Sequence, residues 1–190
     1  MIKIGILGDI GSGKSYVAKC FGYPVFNADA EVGRLYKKER RIFYKLKKAL
    51  PKYIYSFPIN KNEISKAILV NNLNLRKIVK IVHLEIRKKM NIFLNENKKK
   101  NIVILDIPLL LENKINKKKD ILIFVESKKS EILKRLKKRK NFNPKLLSKF
   151  KNIQLPLDYK KKKSNFIIKN NFMKVSVKRD IRKITREIYK

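Results

Sequence analysis

Short apolar runs alternate with helical patterns along most of the chain. Residues 2–7 form an apolar run rich in β-branched residues, and similar runs recur at residues 24–26, 102–105, 121–125 and 166–168. Nearly continuous apolar runs of strand length are typical of strands that are buried on both faces of a parallel sheet. The alternation of such runs with helical patterns predicts a three-layer α/β fold with a parallel five-stranded sheet.

Helical spacing extends over two long stretches between the second and third predicted strands, residues 29–50 and 72–97. Neither Gly/Ser-rich linkers nor internal repeats divide the chain. We therefore expect one domain over residues 1–190 that contains a helical insertion at about residues 50–98. Three further helices are expected over residues 129–139, 145–153 and 175–189.

The residues between the first strand and the first helix fit a phosphate-binding loop. The run GDIGSGKS at residues 8–15 matches the pattern G-x-x-x-x-G-K-[ST] in the expected context of strand, loop and helix. In such a loop, backbone N–H groups surround the phosphates of a nucleotide and the lysine reaches the β and γ phosphates. The residues predicted to bind ATP are Gly8, Gly11, Ser12, Gly13, Lys14, Ser15 and Tyr16.

Three further side chains near the predicted strand ends bear on this chemistry. The hydroxyl of Ser15 is a predicted Mg²⁺ ligand. Asp106, at the end of the third strand, is a candidate to hold Mg²⁺ through water, and the alternative is that Asp106 is only a turn residue. Asp9 would oppose the phosphate charge, so we expect its carboxylate to point to solvent.

Asp29 lies just past the second strand, at the edge where open α/β sheets bind ligands. An ionised carboxylate there could orient and deprotonate an attacking hydroxyl. The alternative is that Asp29 is the N-cap of the following helix. Position alone does not separate these two interpretations.

Two pairs of basic residues are spaced by about one helical turn. Arg135 and Arg139 are expected on one face of a helix, as catalytic residues that neutralise the transferring phosphoryl group or as part of a solvated basic face. His83 and Arg87 share another helix face, from which they could reach an acceptor phosphate, although a structural role for His83 is the alternative.

The composition excludes several kinds of site. With one cysteine, Cys20, and one histidine, the chain forms neither a disulfide framework nor an ordinary Cys/His metal site, so metal ligands should be oxygen atoms. No apolar run approaches the ~20 residues that span a bilayer. Met1 leads straight into the first strand, so we expect a cytoplasmic protein with no membrane contact.

The net charge of +35 would ordinarily suggest a nucleic-acid or membrane surface. However, the chain has 40 Lys against 10 Arg, whereas proteins that recognise bases rely on arginine. We interpret the charge as lysines on solvated faces, including the runs at residues 98–100, 117–119 and 160–163, and expect no specific nucleic-acid partner. An RNA-associated ATPase is the alternative from a different functional class.

Taken together, these motifs resemble the dephospho-CoA kinase family. The phosphate loop is followed by Asn27-Ala28-Asp29 and then by IPLLLE at residues 107–112, similar to the family's D-A-D and P-L-L-x-E motifs. The sequence HLEIR at residues 83–87 resembles the family's H-P-x-I-R motif without its proline. Residues matching a Q-x-P-x-x-x-K segment and a final strand that ends in asparagine are Gln154, Pro156, Lys160 and Asn170.

The resemblance implies a P-loop kinase that transfers the γ-phosphate of ATP to the ribose 3′-hydroxyl of dephospho-CoA, the last step of coenzyme A synthesis. Asp29 then aligns with the catalytic base, since Asn27 cannot act as one. Another small-molecule or nucleoside kinase is the alternative. We expect a monomer, with an oligomer as the alternative, and a small lid at about residues 138–160. The residues implied to bind the acceptor are Asp29, Arg34, His83, Arg87, Pro108, Leu109 and Leu110.

Overall fold

The computed structural model describes residues 1–140 and 142–189. The chain divides into two compact units. One contains Met1–Asn27, Glu96–Phe142 and Gln154–Lys190, and the other contains Ala28–Asn95 and Asn143–Ile153. The strands are β1 (Ile2–Gly8), β2 (Val25–Asn27), β3 (Ile102–Asp106), β4 (Ile121–Glu126) and β5 (Phe166–Lys169). The helices are α1 (Lys14–Cys20), α2 (Ala28–Lys38), α3 (Arg40–Ala49), α4 (Lys61–Val70), α5 (Asn72–Glu96), α6 (Lys129–Lys137), α7 (Pro144–Lys151), α8 (Leu157–Lys162) and α9 (Lys174–Ile188).

The first unit contains a parallel five-stranded sheet in the order β2-β3-β1-β4-β5, which confirms the predicted sheet. Alternate residues of the central strand β1, Ile4 and Ile6, belong to a buried core that also includes residues of α1 and α9. Helix α8 also packs against β1. The apolar runs are continuous because the strands are covered on both faces.

The second unit is helical and contains α2, α3, α4, α5 and α7, of which α7 packs against α4. The single pattern predicted over residues 29–50 is two helices, because Glu39 has an extended backbone (φ −101°, ψ 92°) between α2 and α3. Buried residues of these helices include Leu35, Ile42, Leu46, Ile64, Ile68, Leu75, Ile78, Val82 and Ile86.

The predicted insertion and lid do not coincide with the bounds of the two units. The second unit already begins at Ala28, whereas the insertion was expected at about residues 50–98. Residues 138–160 are divided, with α7 in the second unit and α8 in the first. An acceptor-binding role for the insertion and a closing role for the lid stay predictions.

One lysine-rich run was misinterpreted from the sequence. The run at residues 160–163 was expected to be solvated, but α8 forms there and buries the side chain of Lys160, which is 1% exposed. Neighbouring residues of an α-helix point in directions about 100° apart around its axis, so a single lysine of the run can point inward. Of the helices formed by the described residues, none has both the length and the apolar composition needed to cross a bilayer.

Candidate active site

The loop at residues 8–15 has the backbone of a phosphate-binding loop. Gly8, Gly11 and Gly13 have φ values of +140°, +88° and +89°, a region that residues with a side chain rarely adopt. Lys14 begins α1, and its Nζ donates to the carbonyl oxygens of Gly8 at 3.1 Å and Asp9 at 2.7 Å. The ammonium group therefore lies over the loop at a helix N-terminus, where both favour anions.

The carboxylate of Asp9 turns back onto the loop. Its Oδ1 accepts a hydrogen bond from the backbone N–H of Ile10 at 2.7 Å, and Asp9 is partly buried. The expectation that this side chain simply points to solvent is therefore wrong. The negative charge is compensated locally by a backbone donor of the loop itself.

Tyr16 and Cys20 lie one turn apart on α1. Tyr16 is exposed, and a hydrogen bond with Cys20 raises the pKa of its hydroxyl. The predicted contact of Tyr16 with ATP stays a prediction, and Cys20 is a partly buried free thiol that packs against the core.

Two side chains from the ends of neighbouring strands hold the loop at Ser12. The backbone carbonyl of Ser12 accepts hydrogen bonds from Asn170 Nδ2 at 2.8 Å and from Ser127 Oγ at 2.9 Å. Asn170 is 2% exposed, and its Oδ1 accepts from the N–H of Phe172 at 2.9 Å. In the sequence, Asn170 stands out only as part of a family motif and nothing singles out Ser127, although the two residues directly follow β5 and β4 at the edge that carries the loop.

We predict that Gly13→Ala weakens ATP binding more than Gly22→Ala does. A Cβ at Gly13 would lie 2.4 Å from Asn170 Nδ2, whereas one at Gly22 (φ +75°) would meet no described atom within 4 Å beyond its chain neighbours. Both changes strain the backbone, by about 1–2 kcal/mol. Displacing Asn170 also removes a hydrogen bond from the loop, and about 1.4 kcal/mol lost in binding lowers affinity about tenfold.

Calorimetric titration with ATP and thermal unfolding of both variants check this prediction. Gly22→Ala should unfold earlier than wild type and bind ATP normally. Equal loss of ATP affinity in the two variants would show that backbone strain alone is responsible, and that the contact with Asn170 is not important.

Three polar side chains meet where β2 and β3 end beside α1. Asn27 Nδ2 donates to Asp106 Oδ2 at 2.6 Å and lies 3.5 Å from Ser15 Oγ, and Asn27 and Asp106 are register partners in the sheet. Asp106 is buried, and Ser15 is exposed. An amide beside the carboxylate avoids the repulsion that two carboxylates would have at this distance. The sequence presented Asn27 only as a departure from the family motif.

The oxygen atoms of Ser15 and Asp106 are ligands that suit Mg²⁺. Within residues 1–140 and 142–189, no group of three or more His, Cys, Asp or Glu side chains could hold a metal ion. Mg²⁺ is usually bound through one or two protein ligands together with waters and substrate phosphates, and a hydroxyl and a carboxylate are oxygen ligands of this kind.

The two arginines predicted to share a helix face do not share one. Arg135 lies on α6, where its guanidinium is 4.2 Å from the ring centroid of Phe172, within the range of cation–π attraction. Arg139 lies beyond the end of α6, because the last turn tightens and the N–H of Arg139 bonds to the carbonyl of Leu136 at 3.0 Å. The contact with Phe172 could not be predicted from the local pattern, since that residue is far away in the chain.

The loop after β3 carries three of the predicted acceptor contacts. Leu110 is fully buried, and a Cβ on Gly5 would lie 2.5 Å from its Cδ2, so its side chain fills the core. Any contact of Leu110 with an acceptor would therefore involve its backbone. Pro108 and Leu109 are partly buried, and the carbonyl of Leu109 accepts from Asn113 through its N–H at 3.2 Å and its Nδ2 at 2.9 Å.

Asp29 and Arg34 belong to the first helix of the second unit. Asp29 is the second residue of α2 and is exposed, so the alternative that it is an N-cap is wrong. Arg34 pairs with Glu31 through both Nε, at 3.0 Å, and Nη2, and this hydrogen bonding raises the pKa of the guanidinium. An anionic ligand at Arg34 would compete with Glu31.

His83 and Arg87 lie one turn apart on α5, as predicted. His83 is partly buried, and its Nε2 has no hydrogen-bond partner among the residues that the structure describes. Burial, followed by the charge of Arg87, lowers the pKa of His83 below its ordinary value of 6.5. The imidazole is therefore neutral at pH 7 and could donate or accept one hydrogen bond.

The single histidine makes the next prediction simple to measure. An NMR titration of the imidazole should give a midpoint below 6.5, and Arg87→Gln should raise it. Between the folded pKa and 6.5, His83 is protonated in the unfolded chain and neutral in the folded chain. The free energy of unfolding therefore decreases as the pH falls from 6.5 to the folded pKa.

The stability associated with neutral His83 is fully present above pH 6.5. This pH dependence of the free energy of unfolding should be absent in His83→Gln. Denaturant unfolding of wild type and His83→Gln at pH 5.5 and 7.5 therefore provides the control. A titration midpoint at or above 6.5 would contradict the burial argument.

The chain is similar to known proteins over most of its length. A family model described as dephospho-CoA kinase matches residues 2–175. A dephospho-CoA kinase from Wolbachia pipientis wMel is 32% identical over 176 residues, covering 90% of this chain and 90% of the relative. A dephospho-CoA kinase from the Wolbachia of Brugia malayi is 33% identical over 186 residues, covering 95% of each chain.

Solved structures are similar in fold. TT1252 from Thermus thermophilus matches with a TM-score of 0.79 and 24% identity, covering 100% of this chain and 98% of that one. A dephospho-CoA kinase from Campylobacter jejuni matches with a TM-score of 0.61 and 19% identity, covering 98% and 96%. A shikimate kinase from Bacteroides thetaiotaomicron, at 0.54 and 13%, covers 100% and 99%. The parallel sheet and phosphate loop are thus those of P-loop kinases, and with a family match over residues 2–175 the chain belongs to the dephospho-CoA kinase family.

Proposed function

We propose that this chain transfers the γ-phosphate of ATP to the ribose 3′-hydroxyl of dephospho-CoA, giving coenzyme A and ADP. The observation that carries the proposal is the phosphate loop, with Lys14 folded over it, in a chain that the family model matches over residues 2–175. We also propose that the enzyme is cytoplasmic, because the reaction uses ATP and a substrate that contains a nucleotide.

The proposed reaction is an in-line displacement at the γ-phosphorus. The 3′-oxygen of the acceptor forms the new bond to phosphorus, and the bond between the γ-phosphorus and the β,γ-bridging oxygen breaks. The hydroxyl proton passes to a general base, for which we propose the carboxylate of Asp29, exposed in the first turn of α2. ADP leaves with the electron pair of the broken bond.

The other proposed roles follow from charge and position in the chain. Lys14 neutralises charge on the β and γ phosphates, since its ammonium already lies over the loop. Arg135 and Arg139 are proposed to stabilise the transferring phosphoryl group. Acceptor binding is proposed for Arg34, His83 and Arg87 and for the loop after β3, through Pro108, Leu109 and the backbone of Leu110.

We also propose that the enzyme uses Mg²⁺ with ATP. When bound, Mg²⁺ neutralises charge that develops on the phosphate oxygens. The hydroxyl of Ser15 and the carboxylate of Asp106 would hold it, Asp106 through water, and the amide of Asn27 would keep that carboxylate oriented. Replacing Asp106 would then test metal dependence separately from nucleotide binding.

The test is product identification by mass spectrometry. Purified protein is incubated with Mg·ATP and dephospho-CoA, and in parallel with adenosine or with shikimate as competing acceptors. Wild type should add one phosphoryl group to dephospho-CoA alone, and Lys14→Ala should add almost none. Fragmentation of the product locates the new phosphate on the 3′-oxygen.

Two results would overturn the proposal. Phosphorylation of adenosine or shikimate instead of dephospho-CoA would mean that the chain is a kinase for another acceptor. ATP binding without any acceptor product, together with salt-sensitive binding of RNA, would favour a role for the +35 charge in RNA association.

A further inference from the structure

Two motifs that lie far apart in the chain meet in one buried polar cluster. Glu112 Oε1 accepts from Lys160 Nζ at 2.7 Å and from the backbone N–H of Leu155 at 2.9 Å. Lys160 Nζ also donates to Gln154 Oε1 at 3.0 Å. We call the side chains of Glu112, Gln154 and Lys160 the Glu112 cluster. It joins the loop after β3 to the segment that contains α8.

The charged pair in this cluster is almost completely withdrawn from water. The side chain of Lys160 is 1% exposed and that of Glu112 is 9% exposed. A buried ion pair generally adds little stability compared with apolar residues of similar size, because both charges lose their hydration. Its directional hydrogen bonds, by contrast, fix the positions of the segments that carry the two charges. The pair is therefore better suited to positioning than to stabilisation.

The cluster is only partly satisfied. Glu112 Oε2 is buried and has no hydrogen-bond partner within the part of the chain that the structure describes. Leaving a buried carboxylate oxygen without a donor is unfavourable, and such groups are rare in structures. An apolar pair would avoid this cost, so stability alone does not explain why a carboxylate is placed here.

The loop between Asp106 and Glu112 is fixed at three points. Asp106 accepts from Asn27 at 2.6 Å, the side chain of Leu110 fills the core beside Gly5, and Glu112 is held by Lys160. Between these points, Pro108 and Leu109 remain partly exposed at the carboxyl edge of the sheet. The geometry thus leaves the residues proposed to contact the acceptor accessible while their backbone is immobilised.

We propose that Glu112 and Lys160 are positioning residues for acceptor binding, which hold the backbone of residues 107–111 in the conformation that dephospho-CoA requires. This inference rests on the proposed function. Neither residue touches the reacting atoms. The proposal predicts that the cluster affects KM for the acceptor, while the phosphate loop, held separately by Ser127 and Asn170, retains its KM for ATP.

The test compares Glu112→Gln, Lys160→Met and the double variant that combines them. Each single variant leaves one buried charge unpaired and should unfold earlier than wild type. The double variant removes both charges, and its thermal unfolding should return toward that of wild type. Because the Lys160 hydrogen bond is still missing, its KM for dephospho-CoA should stay raised by about 10- to 100-fold. Its KM for ATP should remain within about twofold of wild type.

A matched control is available one residue along the same helix. Lys161 pairs with Glu126 at 2.6 Å, but these side chains are 40% and 37% exposed. The double variant Glu126→Gln with Lys161→Met should therefore keep both KM values. If the Glu112 double variant also kept a normal KM for dephospho-CoA, or raised both KM values equally, the positioning role would be wrong.

A second measurement keeps this inference separate from the proposed function. Hydrogen exchange of the amides of residues 107–113 needs no acceptor, and it should be faster in the double variant while exchange in α1 is unchanged. If wild type does not phosphorylate dephospho-CoA, the proposed function fails. If exchange of residues 107–113 is also unchanged, the positioning of the loop by the Glu112 cluster fails independently.

Discussion

Asp29→Asn is expected to lower kcat for phosphorylation of dephospho-CoA by about 10²–10⁴-fold, the range typical for loss of a general base. Asparagine has nearly the same shape and cannot accept the hydroxyl proton. Asp29 is exposed in the first turn of α2, so the fold should tolerate the change. Rapid-quench measurement of the chemical step, with ATP affinity measured by calorimetry, checks both parts. ATP affinity should be unchanged.

Asp158 provides the matched control for this prediction. It is the second residue of α8, as Asp29 is the second residue of α2, and both side chains are exposed. Asp158→Asn therefore removes the same charge from the same helical position and should leave kcat within about twofold of wild type. A chemical step in Asp29→Asn that is as fast as in wild type would show that another group takes the proton.

Lys14→Ala should lower kcat by about 10²–10³-fold, the loss typical of removing one preorganised donor to a developing charge. Phosphoryl transfer depends mainly on positioning and charge neutralisation, and Nζ of Lys14 already lies within 2.7–3.1 Å of two carbonyls in the loop. The variant also loses these hydrogen bonds, so ATP affinity should fall as well. Steady-state kinetics at saturating ATP separates the two effects.

Lys19 serves as the control for Lys14. Lys19 is exposed in the last turn of the same helix, α1, so Lys19→Ala removes one positive charge at the end of α1 opposite to the loop. Lys19→Ala should retain wild-type kcat and KM. Circular dichroism should show the same helicity for both variants, and a comparable kcat loss in Lys19→Ala would point to a general effect of net charge rather than to the loop.

The strands and the phosphate loop could be predicted because their signals are local. Residues 102–105 and 121–125 are apolar throughout since both faces of their strands are covered, and Gly13 and Lys14 have the spacing that a turn into a helix requires. The break at Glu39 could not be predicted. No proline or glycine marks that position, and the helical periodicity continues across it.

The contacts that hold the site together depend on residues far away in the chain. Asn27 meets Asp106 only because β2 and β3 pair in a particular register, and Lys160 is buried only because Glu112 lies opposite it. Neither partner is visible from the local pattern. The spacing of Arg135 and Arg139 was misleading for the opposite reason, since a local turn ends α6 between them.

The central position of β1 has a consequence for the synthesis of the protein. Ile2 pairs with Ile102 and Ile4 with Ile121, so both neighbours of β1 are made about 100 residues later. At about 5–20 residues per second, the ribosome needs about 5–20 s to supply them. Throughout that time the apolar segment IKIGILG has no sheet partners, and the nucleotide loop that follows it has no framework. This segment therefore gains both of its sheet partners, and the loop gains its framework, only after β4 has been translated. Until then its unpaired apolar strand is open to aggregation.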